Sequence, residues 1–238
     1  VYDFYLICFS SIIRRVSNAD NESQKTYVSH TKIKEPEEVF STFMTQLKYF
    51  KERIILFSKE IEGINIRSEI IINSSSSDIQ QILMQQKPID IVITSPPYIK
   101  SVDYIYNQMV ELFWVGDLFQ MQTQPKQNIK KNLYIGNSRV KKAEYANYSP
   151  HELIFDISEL DNKLQRIYEE DAKNGEKHAF ITHQYFVNME NHFREISQVL
   201  NSNSHYVMVV GNSTVSNIMF DTAGYLSTIA ERNGFRLT

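Results

Sequence analysis

The stretch D-I-V-I-T-S-P-P-Y-I-K-S-V-D-Y, residues 90–104, decides the fold prediction. Its first residues belong to an apolar run from Ile89 to Thr94, which is typical of a strand buried on both faces of a parallel sheet. Upstream, residues 67–73 predict a β-branched strand and residues 78–86 a short helix. Strand, turn, helix and strand in close succession indicate a βαβ unit.

The rest of the chain continues this alternation. An apolar pattern at three- and four-residue spacing runs from Pro36 to a stop at Gly63 and predicts a long helix. A further strand is predicted at 205–210, and further helices at 2–16, 104–114, 152–172, 178–200 and 221–233. This order predicts an α/β fold, an open and mostly parallel sheet with helices on both faces, preceded by a helical N-terminal segment.

The composition is that of an ordinary globular protein. The net charge of −3 means that a polyanion would have to be met by a local basic surface. A single cysteine, Cys8, excludes an intrachain disulfide and fits a reducing, cytoplasmic location. The apolar first thirteen residues are too short to span a bilayer. The six histidines lack zinc-ligand spacing, so neither a metal, even at His183, nor a membrane partner is expected.

The segment Ser95-Pro96-Pro97-Tyr98 is a stiff turn at the end of a strand. Ligands of open parallel sheets bind at the carboxyl ends of the strands. Proline fixes φ near about −65° and has no N–H, so the turn presents carbonyl oxygens in a fixed direction with few donors nearby. Such oxygens suit an amino group, and Tyr98 offers a flat face for a planar ring. The alternative is that the prolines only end the strand and that Tyr98 belongs to the core.

The sequence D-I-V-I-T-S-P-P-Y resembles motif IV of the amino-group DNA methyltransferases, which methylate cytosine N4 or adenine N6. The T-S-P-P-Y form is commonest among the N4-cytosine members. The segments S-E-I-I-I-N-S-S-S-S-D-I-Q-Q-I-L, I-K-S-V-D-Y-I-Y-N-Q-M-V-E-L-F-W-V-G and Y-V-M-V-V-G-N-S-T-V-S-N are also similar to parts of this family. The resemblance covers most of residues 60–238 and implies a Rossmann-like methyltransferase core.

The resemblance implies roles for the four residues of the turn. Ser95 and the Pro96 carbonyl would accept hydrogen bonds from the target amine, Pro97 would shape the turn, and Tyr98 would stack on the base. The substrate would be double-stranded DNA with one flipped base, cytosine N4 ahead of adenine N6. The methyl donor would be S-adenosyl-L-methionine, and a cognate restriction endonuclease would act separately.

The donor site is where the sequence departs from the family. The family binds the donor through a glycine-rich turn, but the seven glycines of this chain form no G-x-G. The resemblance places that turn before residue 1, so we expect a chain truncated at both ends, and its activity is in doubt. Cofactor contacts are predicted at Thr94, Ser75, Ser76 and Asp78. Asp78 is equally explained as a residue that starts a helix.

Six cations between residues 117 and 150 form the best candidate for phosphate contacts. They are Lys126, Lys130, Lys131, Arg139, Lys141 and Lys142. The alternative is a solvated loop. The domains predicted are a helical segment, 1–60, packed on the core and a partial methyltransferase domain, 61–238, in which 117–150 is a variable, DNA-contacting insertion.

Two other functions stay open at this point. One is an RNA or protein methyltransferase, because similar turns hold other amide or amino groups. The other is a degenerate nucleic-acid-binding module that keeps the base pocket and has lost the donor site. Binding of the donor would separate the second alternative from an enzyme.

Overall fold

The computed structural model describes residues 1–20, 34–65, 89–100, 104–119, 123, 125, 134–151 and 155–238. The chain divides into two compact units, one built from residues 1–73 and 103–131 and the other from residues 74–102 and 132–238. The predicted strand at 67–73 and helix at 78–86 lie outside the described residues.

The first unit is helical in its described part. It contains α1 (Tyr2–Ile12), α2 (Val39–Glu60), α3 (Tyr104–Asn107) and α4 (Met109–Val115), followed by a 3-10 turn, Gly116–Phe119. Helix α1 packs against α2 and α4. The Arg14 guanidinium ties the end of α1 to α4 through a 2.6 Å ion pair with Glu111. The helices predicted at 2–16 and 104–114 are confirmed, and the second of them is interrupted at Gln108.

Helix α2 begins where its sequence provides a cap. The Glu38 carboxylate accepts hydrogen bonds from the N–H groups of Phe40 and Ser41, which satisfies two of the unpaired donors of a helix start. Gly63 has φ +80° just beyond the helix, which fits the predicted stop. The apolar stripe is half-buried in its first half, whereas Ile54 and Phe57 are more than half exposed.

The second unit is built around two parallel strands. Strand β1 (Ile89–Thr94) pairs with β2 (Leu200–Met208) in regular register from Ile91 opposite His205 to Thr94 opposite Met208. A parallel pair brings both carboxyl ends to the same edge of the sheet. The predicted strand at 205–210 is confirmed. It starts earlier, at Leu200, which pairs with Ile89 across an irregularity in the register.

The two faces of this strand pair differ. Tyr206 and Met208 pack against the hydrophobic core, and the Tyr206 ring meets Phe193 edge-on, with centroids 5.7 Å apart. On the other face Ile91 and Ile93 are 53% and 72% exposed. Within the described part of the chain, helices therefore cover one face, and helices on both faces stay a prediction.

In the described residues, one short helix, a hairpin and three longer helices complete the second unit. They are α5 (Lys142–Tyr145), α6 (Ser158–Glu170), α7 (Gly175–Ser197), β3 (Ser213–Val215), β4 (Ile218–Phe220) and α8 (Thr222–Arg232). Helix α7 supplies more residues to the core than any other described element, including the fully buried Phe186 and Phe193. The predicted helices at these three places are confirmed. The antiparallel hairpin β3–β4 was not predicted.

Residues 134–151 are attached to this unit and do not form a detached loop. Tyr148 is buried, and its ring lies edge-on to Phe180 of α7 at 5.5 Å. Tyr145, in α5, also packs against the core. The predicted irregular segment therefore carries a short helix and core side chains in its described part.

Candidate functional site

The turn Ser95-Pro96-Pro97-Tyr98 leaves the sheet at the carboxyl end of β1. The Thr94 carbonyl still accepts a hydrogen bond from the Val209 N–H at 2.9 Å, so the ladder continues to the last residue before the turn. Both proline peptide bonds are trans. Ser95 is exposed and the prolines are half-buried.

The carbonyl oxygens of this turn are available to a ligand. Among the described residues, no hydrogen bond ends on the carbonyl of Ser95, Pro96 or Pro97. Two of the three residues following Thr94 lack an N–H altogether, so the turn has few donors of its own for these oxygens. Unpaired acceptors at the surface of a rigid turn can receive an amino group without prior rearrangement.

Tyr98 bridges the ends of the two parallel strands. A Cβ atom placed on Gly211 would lie 3.8 Å from Cζ of the Tyr98 ring and 4.0 Å from its hydroxyl oxygen. Gly211 lies three residues beyond the end of β2, so the ring extends from the end of β1 to the segment that follows β2. The side chain is 45% exposed, which leaves part of the ring open to solvent. Tyr98 is therefore not a core residue, and that part of the alternative is wrong, whereas a role of the prolines beyond ending the strand stays a prediction.

Ile99 anchors the turn from below. It is 5% exposed and belongs to the same core cluster as Tyr185 and Phe186 of α7. Tyr185 is fully buried, and its hydroxyl has no hydrogen-bond partner among the described residues. Burial, with a smaller contribution from the neighbouring Tyr98 phenol, raises the pKa of Tyr185. The exposed Tyr98 ring therefore stands near a buried, neutral phenol.

A polar cluster follows the turn directly. The Lys100 Nζ lies 3.3 Å from Nε2 of His178 in α7. The His178 Nδ1 lies 3.0 Å from Asp171 Oδ2 and 2.9 Å from Ser216 Oγ. The Ser216 hydroxyl donates to the same Asp171 oxygen at 2.6 Å. Residues from four separate segments thus meet beside the turn.

The charges of this cluster follow from its contacts. The hydrogen bond from Ser216, with those from the Asn174 N–H and His178, lowers the pKa of Asp171 to about 2, so this group is a carboxylate at neutral pH. Desolvation, and then the Lys100 charge, lowers the pKa of His178. His178 is therefore neutral at pH 7.

The predicted donor contacts are only partly described. Ser75, Ser76 and Asp78 lie outside the described residues, and Thr94 is half-buried at the end of β1. Gly211 does not form a close-fitting cradle at the strand ends, since a Cβ there would make only ordinary contacts with Tyr98. The described residues do not by themselves form a site for S-adenosyl-L-methionine.

The predicted basic cluster is likewise divided. Lys126, Lys130 and Lys131 lie outside the described residues. Arg139, Lys141 and Lys142 are exposed, in the second unit. The N–H of Lys141 is capped by Glu144 at 2.8 Å, which fixes the start of α5 and leaves its side chain at the surface. Phosphate contacts at these residues stay a prediction.

The described residues contain neither a group of metal ligands nor a helix suited to cross a membrane. No three His, Cys, Asp or Glu side chains in the described ranges are grouped so that they could hold a metal ion. None of the helices in that part of the chain combines the length and the apolar character needed to cross a bilayer. His183 lies in the core, with 4% of its surface exposed.

Sequence reasoning missed Lys100, Asp171, His178 and Ser216. Lys100 could have been noticed because it comes two residues after Tyr98. The other three carry no such signal, since they are between 71 and 116 residues away from Lys100 in the chain. Their proximity depends on how α7 and the β3–β4 turn fold onto the sheet edge.

Comparison with known proteins finds one kind of similarity. The type II methyltransferase M.MvaI of Kocuria varians is 26% identical over 246 aligned residues, which cover 96% of this chain and 50% of that protein. The chain thus spans about half the length of the curated relative it matches. No family model matches the sequence. No solved structure matches it either.

Proposed function

We propose that this chain is part of a DNA methyltransferase that transfers a methyl group from S-adenosyl-L-methionine to the exocyclic amine of a flipped base. Cytosine N4 is proposed ahead of adenine N6, because the T-S-P-P-Y form is the commoner one among N4-cytosine enzymes. The observation that carries the proposal is the rigid turn at residues 95–98, whose carbonyls accept no hydrogen bond from the described residues and whose ring is exposed. The similarity to a type II methyltransferase supports it independently.

The turn has the chemistry that an amine substrate needs. An exocyclic amine carries two N–H donors, and the Ser95 side chain and the Pro96 carbonyl would accept them. These bonds would hold the nitrogen in one orientation and draw its electrons away from the ring toward the lone pair. Tyr98 would fix the plane of the base by stacking. Such positioning supplies a large part of the rate in reactions without a covalent enzyme intermediate.

A base inside a duplex cannot reach this turn. The base would have to leave the stack, at a cost of a few kcal/mol. The open part of the Tyr98 ring offers stacking worth about 1–3 kcal/mol in return. S-adenosyl-L-methionine, when bound, supplies an electrophilic methyl group on a sulfonium.

The first experiment measures methyl transfer from radiolabelled donor to duplex DNA, followed by nuclease digestion to identify the modified base. We expect label in N4-methylcytosine. Tyr98→Ala should lower the rate by about 5- to 150-fold, the equivalent of one lost stacking contact, and Tyr98→Phe should keep most of it. Tyr49→Ala removes a similarly exposed ring from α2 and serves as the control.

The alternatives are distinct outcomes of the same experiment. Label in RNA or protein instead of DNA would reject the substrate proposed here. Absence of donor binding in a calorimetric titration, with DNA binding retained, would indicate the non-catalytic module. Equal rates for Tyr98→Ala and Tyr49→Ala would contradict the role of the ring.

A further inference from the structure

We propose that Lys100 binds a backbone phosphate of the strand that carries the flipped base, and that His178, aligned by Asp171 and Ser216, positions its ammonium group. This inference rests on the function proposed above and adds to it a phosphate-binding residue in the turn itself. Lys100 lies outside the basic cluster predicted from the sequence.

The hydrogen atoms of the cluster can be assigned from its partners. The Asp171 carboxylate can only accept a hydrogen bond, and the Lys100 ammonium can only donate one. His178 therefore carries its proton on Nδ1, which faces Asp171 at 3.0 Å, and turns the Nε2 lone pair toward Lys100 at 3.3 Å. Ser216 donates to the same carboxylate oxygen and fixes that oxygen's position.

This arrangement holds the lysine without neutralising it. His178 is uncharged and occupies one of the three donors of the ammonium, so a full positive charge and two donors remain. Lys163 shows the contrast, because its ammonium is paired with Glu159 at 2.6 Å. An exposed lysine held by a neutral acceptor is suited to an incoming anion, whereas an ion-paired lysine is not.

The backbone of Lys100 also indicates a specific role. Its φ is +55°, in the left-handed region that side chains other than glycine, asparagine and aspartate rarely adopt. Strained residues of this kind persist where surrounding contacts hold them, and they are common at ligand sites. Here the buried Ile99 on one side and His178 on the other hold the residue.

Lys100 follows the proposed base-stacking residue closely in the chain. Tyr98 and Lys100 are two residues apart, and both side chains are exposed. A nucleotide carries its base and its phosphate on either side of one sugar. A base stacked on Tyr98 would therefore bring its own backbone past the turn, where a lysine binds phosphate as a point charge.

The experiment measures binding of the full chain to a duplex in the absence of donor, by fluorescence anisotropy over a series of salt concentrations. Each phosphate contact contributes about 0.9 to the slope of log K against log salt concentration. Lys100→Gln should lower that slope by about one, and Lys100→Arg should keep it. Arg166→Gln is the matched control, since Arg166 is exposed but paired with Glu170, and it should leave the slope unchanged.

Two further variants separate this role from a purely structural one. Lys100→Gly removes the charge and relieves the left-handed backbone, so it should melt no lower than the wild type and still lose the unit of slope. His178→Leu should weaken binding at low salt, and His178→Gln, whose side-chain oxygen can accept from Lys100, should restore part of it. A structural role would lower the melting temperature instead and leave the slope intact.

The outcomes also separate this inference from the function it rests on. An unchanged slope in both Lys100→Gln and Lys100→Gly, with methyl transfer to DNA intact in the wild type, would overturn the role of Lys100 alone. Failure of the wild type to bind DNA at any salt concentration would overturn both proposals together.

Discussion

Tyr185 and Tyr206 are two buried tyrosines that differ in the surroundings of their hydroxyl groups. The Tyr206 hydroxyl lies 2.7 Å from Nε2 of His192, whereas the Tyr185 hydroxyl has no partner in the part of the chain that the structure describes. A buried polar group without a hydrogen bond costs about 1–3 kcal/mol. We therefore expect Tyr185→Phe to raise the free energy of unfolding by about 1 kcal/mol and Tyr206→Phe to lower it by a similar amount.

Urea unfolding followed by circular dichroism measures both changes. The two substitutions remove the same atom from the same residue type, so each is the control of the other. Equal destabilisation by both would mean that the Tyr185 hydroxyl has a partner that the structure does not show. In that case Tyr185→Phe should also alter binding at the neighbouring Tyr98.

At the scale of residues, the sequence was informative only where chemistry is local. The turn at 95–98 could be predicted because proline restricts its own backbone and that of the residue before it. The contact between Lys100 and His178 could not, because it joins residues 78 positions apart. The sequence also left open whether the Tyr98 side chain is buried or exposed. Its exposure depends on which segments pack around the ring where it lies beside Gly211.

Gly175 shows how one residue places a whole element. A Cβ at this position would lie 2.5 Å from the Tyr168 carbonyl oxygen and 2.7 Å from that of Ile167, so α7 starts in contact with the end of α6. Gly175→Ala forces these backbones apart and should lower the free energy of unfolding by about 1–3 kcal/mol. Because Asp171 and His178 flank this contact, their hydrogen bond should weaken as well.

Gly211→Ala is the matched comparison for this substitution. Its Cβ would meet only the Tyr98 ring, at ordinary contact distances of 3.8–4.0 Å. We expect a change in melting temperature within error for Gly211→Ala and a clear decrease for Gly175→Ala, both by differential scanning calorimetry. A similar decrease for both would mean that the contact between α6 and α7 does not limit stability.

At the scale of elements, the helices that could be predicted carry residues that mark where they begin or end. Helix α2 has a capping glutamate and a closing glycine, and α8 begins at Asp221, whose carboxylate accepts from the Gly224 N–H. The hairpin β3–β4 was missed because its strands have three residues each. Its turn at Ser216 and Asn217 has φ of +49° and +63°, without the glycine that usually signals such a hairpin.

The parallel strand pair was predicted from apolar runs, yet those runs do not report which faces are covered. Ile93 was expected to be buried and is 72% exposed. An apolar run indicates that a strand is compatible with burial on both faces. The covering layer, however, is set by other segments, which in the described residues include α7 and Phe235, whose ring lies 5.5 Å from that of Tyr206.

At the scale of the whole molecule, stability in acid should depend on His183. This side chain lies between Tyr148 and Phe155, with ring centroids at 5.6 and 5.1 Å. None of the described residues forms a hydrogen bond with its Nδ1. Desolvation lowers the pKa of His183 to about 4, and only Asp161 acts in the opposite direction. The unfolded chain, with a histidine pKa near about 6.5, therefore binds this proton more readily than the folded one.

The sign of the pH dependence follows from that difference. Between pH 6.5 and pH 4 the unfolded state holds more protons, so the free energy of unfolding falls as the pH decreases through this window. A lowered pKa of this size corresponds to a loss of roughly 3 kcal/mol. Burial lowers the pKa of His192 as well, which adds to the same trend. The lowered pKa of Asp171 acts only below its ordinary value of 3.8.

Comparison of the wild type with His183→Gln isolates this contribution. Glutamine is polar but does not titrate, so the variant should be less dependent on pH between 6.5 and 4, whatever its stability at pH 7. Urea unfolding at half-unit intervals of pH gives the two slopes. Parallel curves would show that the folded protein protonates His183 as easily as the unfolded chain does. That result would require a water molecule or a polar partner at Nδ1, although the structure places the His183 ring against the aromatic rings of Tyr148 and Phe155.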